Sequence, residues 1–76
     1  MGEFDSYLPR SDRETLLRER ISRFALEGYQ YELNLQFAIE TNDKEGVKQA
    51  QEAIESLKLA IKMHEEQLKL LKENVE

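Results

Sequence analysis

Two runs of apolar residues, each stepping by three or four positions, restrict this chain more than any other feature. The first passes through Leu17, Ile21, Phe24, Gly28, Tyr31, Leu35 and Ala38. The second passes through Val47, Ala50, Ile54, Leu57, Ile61, His64, Leu68, Leu71 and Val75. Such steps hold side chains on one face of an α-helix, and a face spaced in this way is a seam offered to another helix. A single polar break, Thr41-Asn42-Asp43, separates the runs. Asparagine tolerates the left-handed backbone that ends a helix, and aspartate caps the helix that follows. The predicted fold is therefore all-α: an antiparallel, coiled-coil-like two-helix hairpin over residues 12–76, preceded by an N-terminal arm over 1–11. Its helices are expected at 12–41 and 44–74 with a turn at 42–43, each rod being ~45 Å long at the α-helical rise.

Local signals agree with this outline. Ser11 and Glu14 form an S-x-x-E capping box behind Pro9, which places the start of the first helix at Asp12. Folding the runs about the turn sets Ala38 by Val47, Leu35 by Ala50, Tyr31 by Ile54 and Gly28 by Leu57. Phe24 then meets Ile61, Ile21 meets His64 and Leu17 meets Leu68. A glycine inside a helix costs about 1 kcal/mol against alanine, so Gly28 is expected to make room for Leu57. Flanking charges suggest Arg18 with Glu65 and Glu32 with Lys58. In the arm, Phe4, Tyr7 and Leu8 are expected to pack over the open end of the hairpin, near Leu68, Leu71 and Val75, or over a neighbouring chain. One stretch competes: Tyr29, Tyr31, Leu33, Leu35, Phe37 and Ile39 alternate with Gln30, Glu32, Asn34, Gln36, Ala38 and Glu40 as a half-buried strand would, one that could pair across a two-fold axis. No second alternating run exists to pair with it, and the helical seam passes through it without a change of phase.

A chain of 76 residues lies near the size at which one core becomes marginal. A single small core supplies about 3–5 kcal/mol, and such chains gain the rest from disulfides, metals or partners. With no cysteine and one histidine, thiolate and imidazole-rich metal sites and disulfide staples are excluded, which leaves association with other chains. The net charge of −5 opposes non-specific nucleic-acid binding, which depends on neutralising phosphates. No apolar run is long enough for a membrane span, and the acidic start lacks the basic-then-apolar order of a signal peptide, so a cytoplasmic location is expected.

Catalytic chemistry is equally poorly supplied. Ser6, Ser11, Ser22 and Ser56 would all have to share His64 as base, and His64 belongs to the seam. The stretch Thr41 to Gly46 with Glu52 partly imitates a calcium loop, but threonine stands where the first aspartate is needed. A plain helix–helix turn explains the same letters. Neither an enzyme nor a bound cofactor or metal is expected.

The alternating stretch has a consequence in the helical reading. Tyr31, Leu35 and Ala38 line the seam, while Leu26, Tyr29, Leu33 and Phe37 fall on roughly the opposite side. Leu59, Met63 and Leu70 repeat this on the second helix. A hairpin buries one stripe per helix, so the rest would form an apolar patch of the kind that marks an interaction site. The expected function is a non-enzymatic helical assembly module, a structural protein or small adaptor or inhibitor. It would self-associate into a four-helix or larger bundle and could receive another protein, with Leu26, Tyr29, Leu33, Phe37, Leu59 and Met63 as binding residues. The alternative is an oligomeric binder of a small anionic ligand or phosphorylated partner through the Arg10–Arg23 cluster, with Arg13, Arg20 and Arg23 brought together between subunits.

Overall fold

A computed structural model describes residues 2–73; the seam position of Val75 and the expected helix end at 74 lie outside the described residues. A 3₁₀ turn, Asp5–Tyr7, leads into α1, Arg10–Glu40, and α1 turns back into α2, Lys44–Glu73. The two helices pack against each other along their length, giving a rod of 54 × 20 × 16 Å. Among the described residues there is no strand, so the alternating stretch around Leu33 is helix throughout. No helix of the described residues is long and apolar enough to cross a membrane.

The first helix starts two residues before the expected Asp12. Pro9 occupies the N-cap with φ −58° and ψ 151°, and its carbonyl accepts from the amides of Asp12 at 3.1 Å and Arg13 at 3.2 Å. Proline suits a helix entrance because its fixed φ matches the helix and it lacks an amide proton that would go unpaired. Ser11 consequently lies inside the first turn and caps nothing, and Glu14 pairs with Arg18 at 3.5 Å instead of reaching back. Asp12 keeps its place near the positive end of the helix dipole.

The turn behaves as its residue types require. Asn42 has φ 58°, its amide donates to the Ile39 carbonyl at 3.2 Å, and the Asp43 amide donates to the Ala38 carbonyl at 2.8 Å. Those bonds satisfy carbonyls left open at the end of α1, the pattern of a Schellman motif. Thr41 Oγ1 adds a donation to the Phe37 carbonyl at 2.9 Å. Asp43 then caps α2: its Oδ1 accepts from the Gly46 amide at 3.0 Å. One aspartate thus closes the first helix through its amide and opens the second through its side chain.

The seam residues are buried or half-buried with one exception, Tyr31, which stays just exposed. Phe24 and His64 meet edge to face with ring centroids 5.1 Å apart, and His64 Nδ1 lies 2.7 Å from the Ala60 carbonyl. His64 Nδ1 is therefore satisfied within its own helix. Gly28 departs from expectation. A Cβ built there meets nothing within 4 Å, because Leu57 and Gly28 share an open groove of about 190 Å³ with Phe24, Ile54 and Ile61. Close approach is required instead at Gly46, where a Cβ would lie 2.6 Å from Asp43 Oδ2 and 3.2 Å from Ala38 Cβ. The anticipated cross-helix pairs Arg18–Glu65 and Glu32–Lys58 are replaced by intrahelical ones, Arg18–Glu14 and Lys58–Glu55. Residues three or four apart on a helix are already neighbours, so such pairs form with less loss of side-chain freedom.

Burial is shallow. Among the described residues only Ala38 and Ala50, 7% and 4% exposed, count as core, and no large side chain is fully enclosed. The chain exposes 6244 Å², whereas a compact monomer of its mass, 9.0 kDa, exposes about 4,850 Å². The surplus of about 1,400 Å² is a property of the hairpin shape, since two helices can cover only one face of each other.

Candidate interaction surface

The two helices distribute their apolar groups differently. On α2 they gather mostly on the seam side, whereas on α1 they point to two opposing sides and largely cancel in direction. Helix α1 is thus sandwiched in chemistry but covered on one side only. Along its outer side Leu26, Tyr29 and Phe37 are 61%, 59% and 61% exposed. Leu33 lies in the same line but is half-buried. Tyr29 and Phe37 stand one turn below and above it, the spacing at which long helical side chains cover a neighbour. The patch is therefore a line of two aromatic rings and two leucines spanning about three helical turns.

Charge is scarce around this patch. From Tyr29 to Ile39 the only ionised side chain is Glu32, although 36% of the whole chain is charged. Depletion of charge with enrichment of aromatic residues is the compositional mark of an interface centre. Leu59 and Met63 are also exposed, but Glu55, Lys58, Lys62 and Glu66 surround them. They belong to a solvated face carrying isolated apolar groups, which is ordinary for a soluble helix.

A second feature lies at the open end. Asp5 and Leu8 of the arm, Arg13, Leu16 and Leu17 of α1, and Gln67, Leu70 and Leu71 of α2 enclose a mainly apolar cleft of about 280 Å³. The arm thus reaches the hairpin end as anticipated, but through Leu8; Phe4 and Tyr7 remain exposed and pack on each other at 6.4 Å. The Nε atoms of Arg10 and Arg13 are buried without a hydrogen-bond partner among the described residues. Arg20 and Arg23 are exposed and do not line this cleft. Along one helix Arg13 and Arg23 stand about 15 Å apart, too far for one small anion to bridge.

The calcium-like stretch carries no ligand set: Asp43 is engaged as a cap, and among the described residues no group of three acidic, histidine or cysteine side chains converges on one point. No protein-family model matches the chain, and comparison with curated proteins and with solved structures finds no match.

Proposed function

We propose that this protein is a non-enzymatic helical assembly module of the cytoplasm, acting through association of the outer face of α1 with another copy of itself. The observation that carries this reading is the charge-poor line of Leu26, Tyr29, Leu33 and Phe37 on a helix whose opposite side already forms the hairpin seam. Covering Leu26, Tyr29 and Phe37, 61%, 59% and 61% exposed, supplies about 1–2 kcal/mol each. Leu59 and Met63, surrounded by charge, contribute a secondary contact at most.

The double variant Leu33→Asp with Phe37→Asp tests this. Sedimentation equilibrium of the native chain is expected to give a multiple of 9.0 kDa, and the variant to move toward the single-chain mass while helical circular dichroism partly survives. A native chain that stays at one-chain mass at high concentration, or a variant with unchanged mass, would overturn it.

A second reading has one observation of its own, the unpartnered Nε donors of Arg10 and Arg13, of which Arg13 lines the open-end cleft. Guanidinium donors recognise phosphate and carboxylate oxygens. In this reading Arg13, with Arg20 and Arg23 of an associated copy, holds a small anion or a phosphorylated partner. Inorganic phosphate should then raise the melting temperature of the native chain. Neutralising the three arginines should abolish the rise without altering mass, and an equal rise in the variant would dispose of the idea.

A further inference from the structure

We infer that two copies join through α1 in antiparallel fashion about a two-fold axis passing between Tyr29 and Leu33. This rests on the self-association proposed above and specifies its geometry. The occupant of the α1 face must itself be apolar, aromatic and poor in charge, and the α1 face of a second copy meets that description. The outer side of α2 does not, because Glu55, Lys58, Lys62 and Glu66 interrupt it. A head-to-tail contact of α1 on α2 would bury those charges, whereas α1 on α1 buries none of them. A contact of like with like closes on itself as a dimer.

Direction follows from the ends of the stripe. Below Leu26 the next residue on this side is Ser22, and above Phe37 it is Glu40. In a parallel pair Glu40 would face Glu40 of the second copy, two like charges at the rim of an apolar contact. In the antiparallel pair each Glu40 faces Ser22 of the other copy, whose hydroxyl can donate to the carboxylate. The same register sets Tyr29 against Leu33 and Leu26 against Phe37 on both sides of the axis, so every layer pairs an aromatic ring with a leucine. Large opposite smaller is the arrangement that fills space between facing helices.

The absence of native cysteine makes the geometry directly readable. Leu26→Cys and Phe37→Cys are prepared separately and oxidised alone or mixed. Mixing should give a disulfide-linked heterodimer, while each variant alone gives at least tenfold less product, because equivalent positions then lie about 16 Å apart along the axis. A spin label at Glu19→Cys, beyond the apolar stripe, leaves the contact intact and should report about 40 Å between copies; parallel pairing would bring the labels within about 20 Å. A dimeric mass with the short distance, or with efficient crosslinking of Leu26→Cys to itself, overturns the antiparallel geometry and leaves self-association standing. Mass that grows without limit as concentration rises, with no preferred mixed crosslink, overturns the closed two-fold in favour of head-to-tail assembly. A lone chain at every concentration removes both this geometry and the proposal beneath it.

Discussion

The two helical glycines should respond to the same substitution with opposite sign. Alanine in place of glycine inside a helix stabilises by up to about 1 kcal/mol, since glycine loses more backbone freedom on folding. At position 28 nothing opposes that gain, because a Cβ there meets no atom within 4 Å. Gly28→Ala should therefore stabilise by about 0.5–1 kcal/mol. At position 46 the added methyl would lie 2.6 Å from Asp43 Oδ2 and 3.0 Å from its Cγ, in the space the capping carboxylate occupies. Turning the carboxylate aside breaks its bond to the Gly46 amide, and losing such a cap costs about 1 kcal/mol. The methyl also meets Ala38 Cβ at 3.2 Å, and Ala38 belongs to the small core, so the helices must part by a few tenths of an ångström or strain. The helical gain and the cap loss nearly cancel, and the crowding leaves Gly46→Ala neutral to about 1 kcal/mol destabilised. The variants should differ by about 0.5–2 kcal/mol, or roughly 2–15 °C in melting temperature for a chain of this size. Thermal and urea unfolding followed by circular dichroism at one matched chain concentration measures this, the matching being needed because association shifts apparent stability. Equal stabilisation at both positions would refute the Asp43 cap and the close approach to Ala38. Equal loss at both would refute the open groove at Gly28.

Asn42→Gly should leave urea stability within a few tenths of a kcal/mol, whereas Asn42→Ala should lower it by about 1 kcal/mol, because φ 58° strains any side chain that cannot bond locally. Phe24→Ala removes the ring packed on His64 and should cost about 2 kcal/mol in the same assay, less than the 3–5 of a fully buried phenylalanine because Phe24 is half-buried. A double-mutant cycle on Glu14 and Arg18 should return a coupling of about 0.3–0.5 kcal/mol, and one on Arg18 and Glu65 close to zero; the reverse order would contradict the intrahelical pairing.

What could be read from the letters and what could not divide along physical lines. The seam was legible because its period integrates over thirty residues, and a single slip would have moved every later apolar group off the face. The turn was legible because Asn42 and Asp43 answer to backbone chemistry at two specific positions. The start of α1 was harder. Ser11 and Pro9 both mark helix entrances, and letters alone do not weigh a side-chain cap against a ring that already holds the helical φ. Arg18 had two glutamates within reach, and local proximity decided for Glu14 over Glu65. Gly28 and Gly46 were told apart only by interhelical distance, which no spacing rule contains. Of the residues expected to bind a partner, Leu26, Tyr29 and Phe37 are as exposed as the pattern implied. Leu33 is partly sheltered, which its place in the line did not imply. The cleft built by Leu8, Arg13, Leu16 and Leu71 had only a general forerunner, the expectation that the arm would reach the open end.

The stretch that resembled a strand is also the one that gives this hairpin its outward chemistry. Alternation with period two, laid on a helix, sends successive apolar residues about 200° apart, so one set reaches the seam and the other the far side. Tyr31, Leu35 and Ala38 are the inner set, and Tyr29, Leu33 and Phe37 the outer. A helix that only needed to hold α2 would carry one stripe, as α2 mostly does. Two stripes on α1 exceed what an isolated hairpin can use, and they fall in the segment where charge has been thinned to Glu32 alone. In the proposed reading, the conflict between local pattern and global fold is not frustration within one chain but the source of a second face, and that is the face on which association is expected.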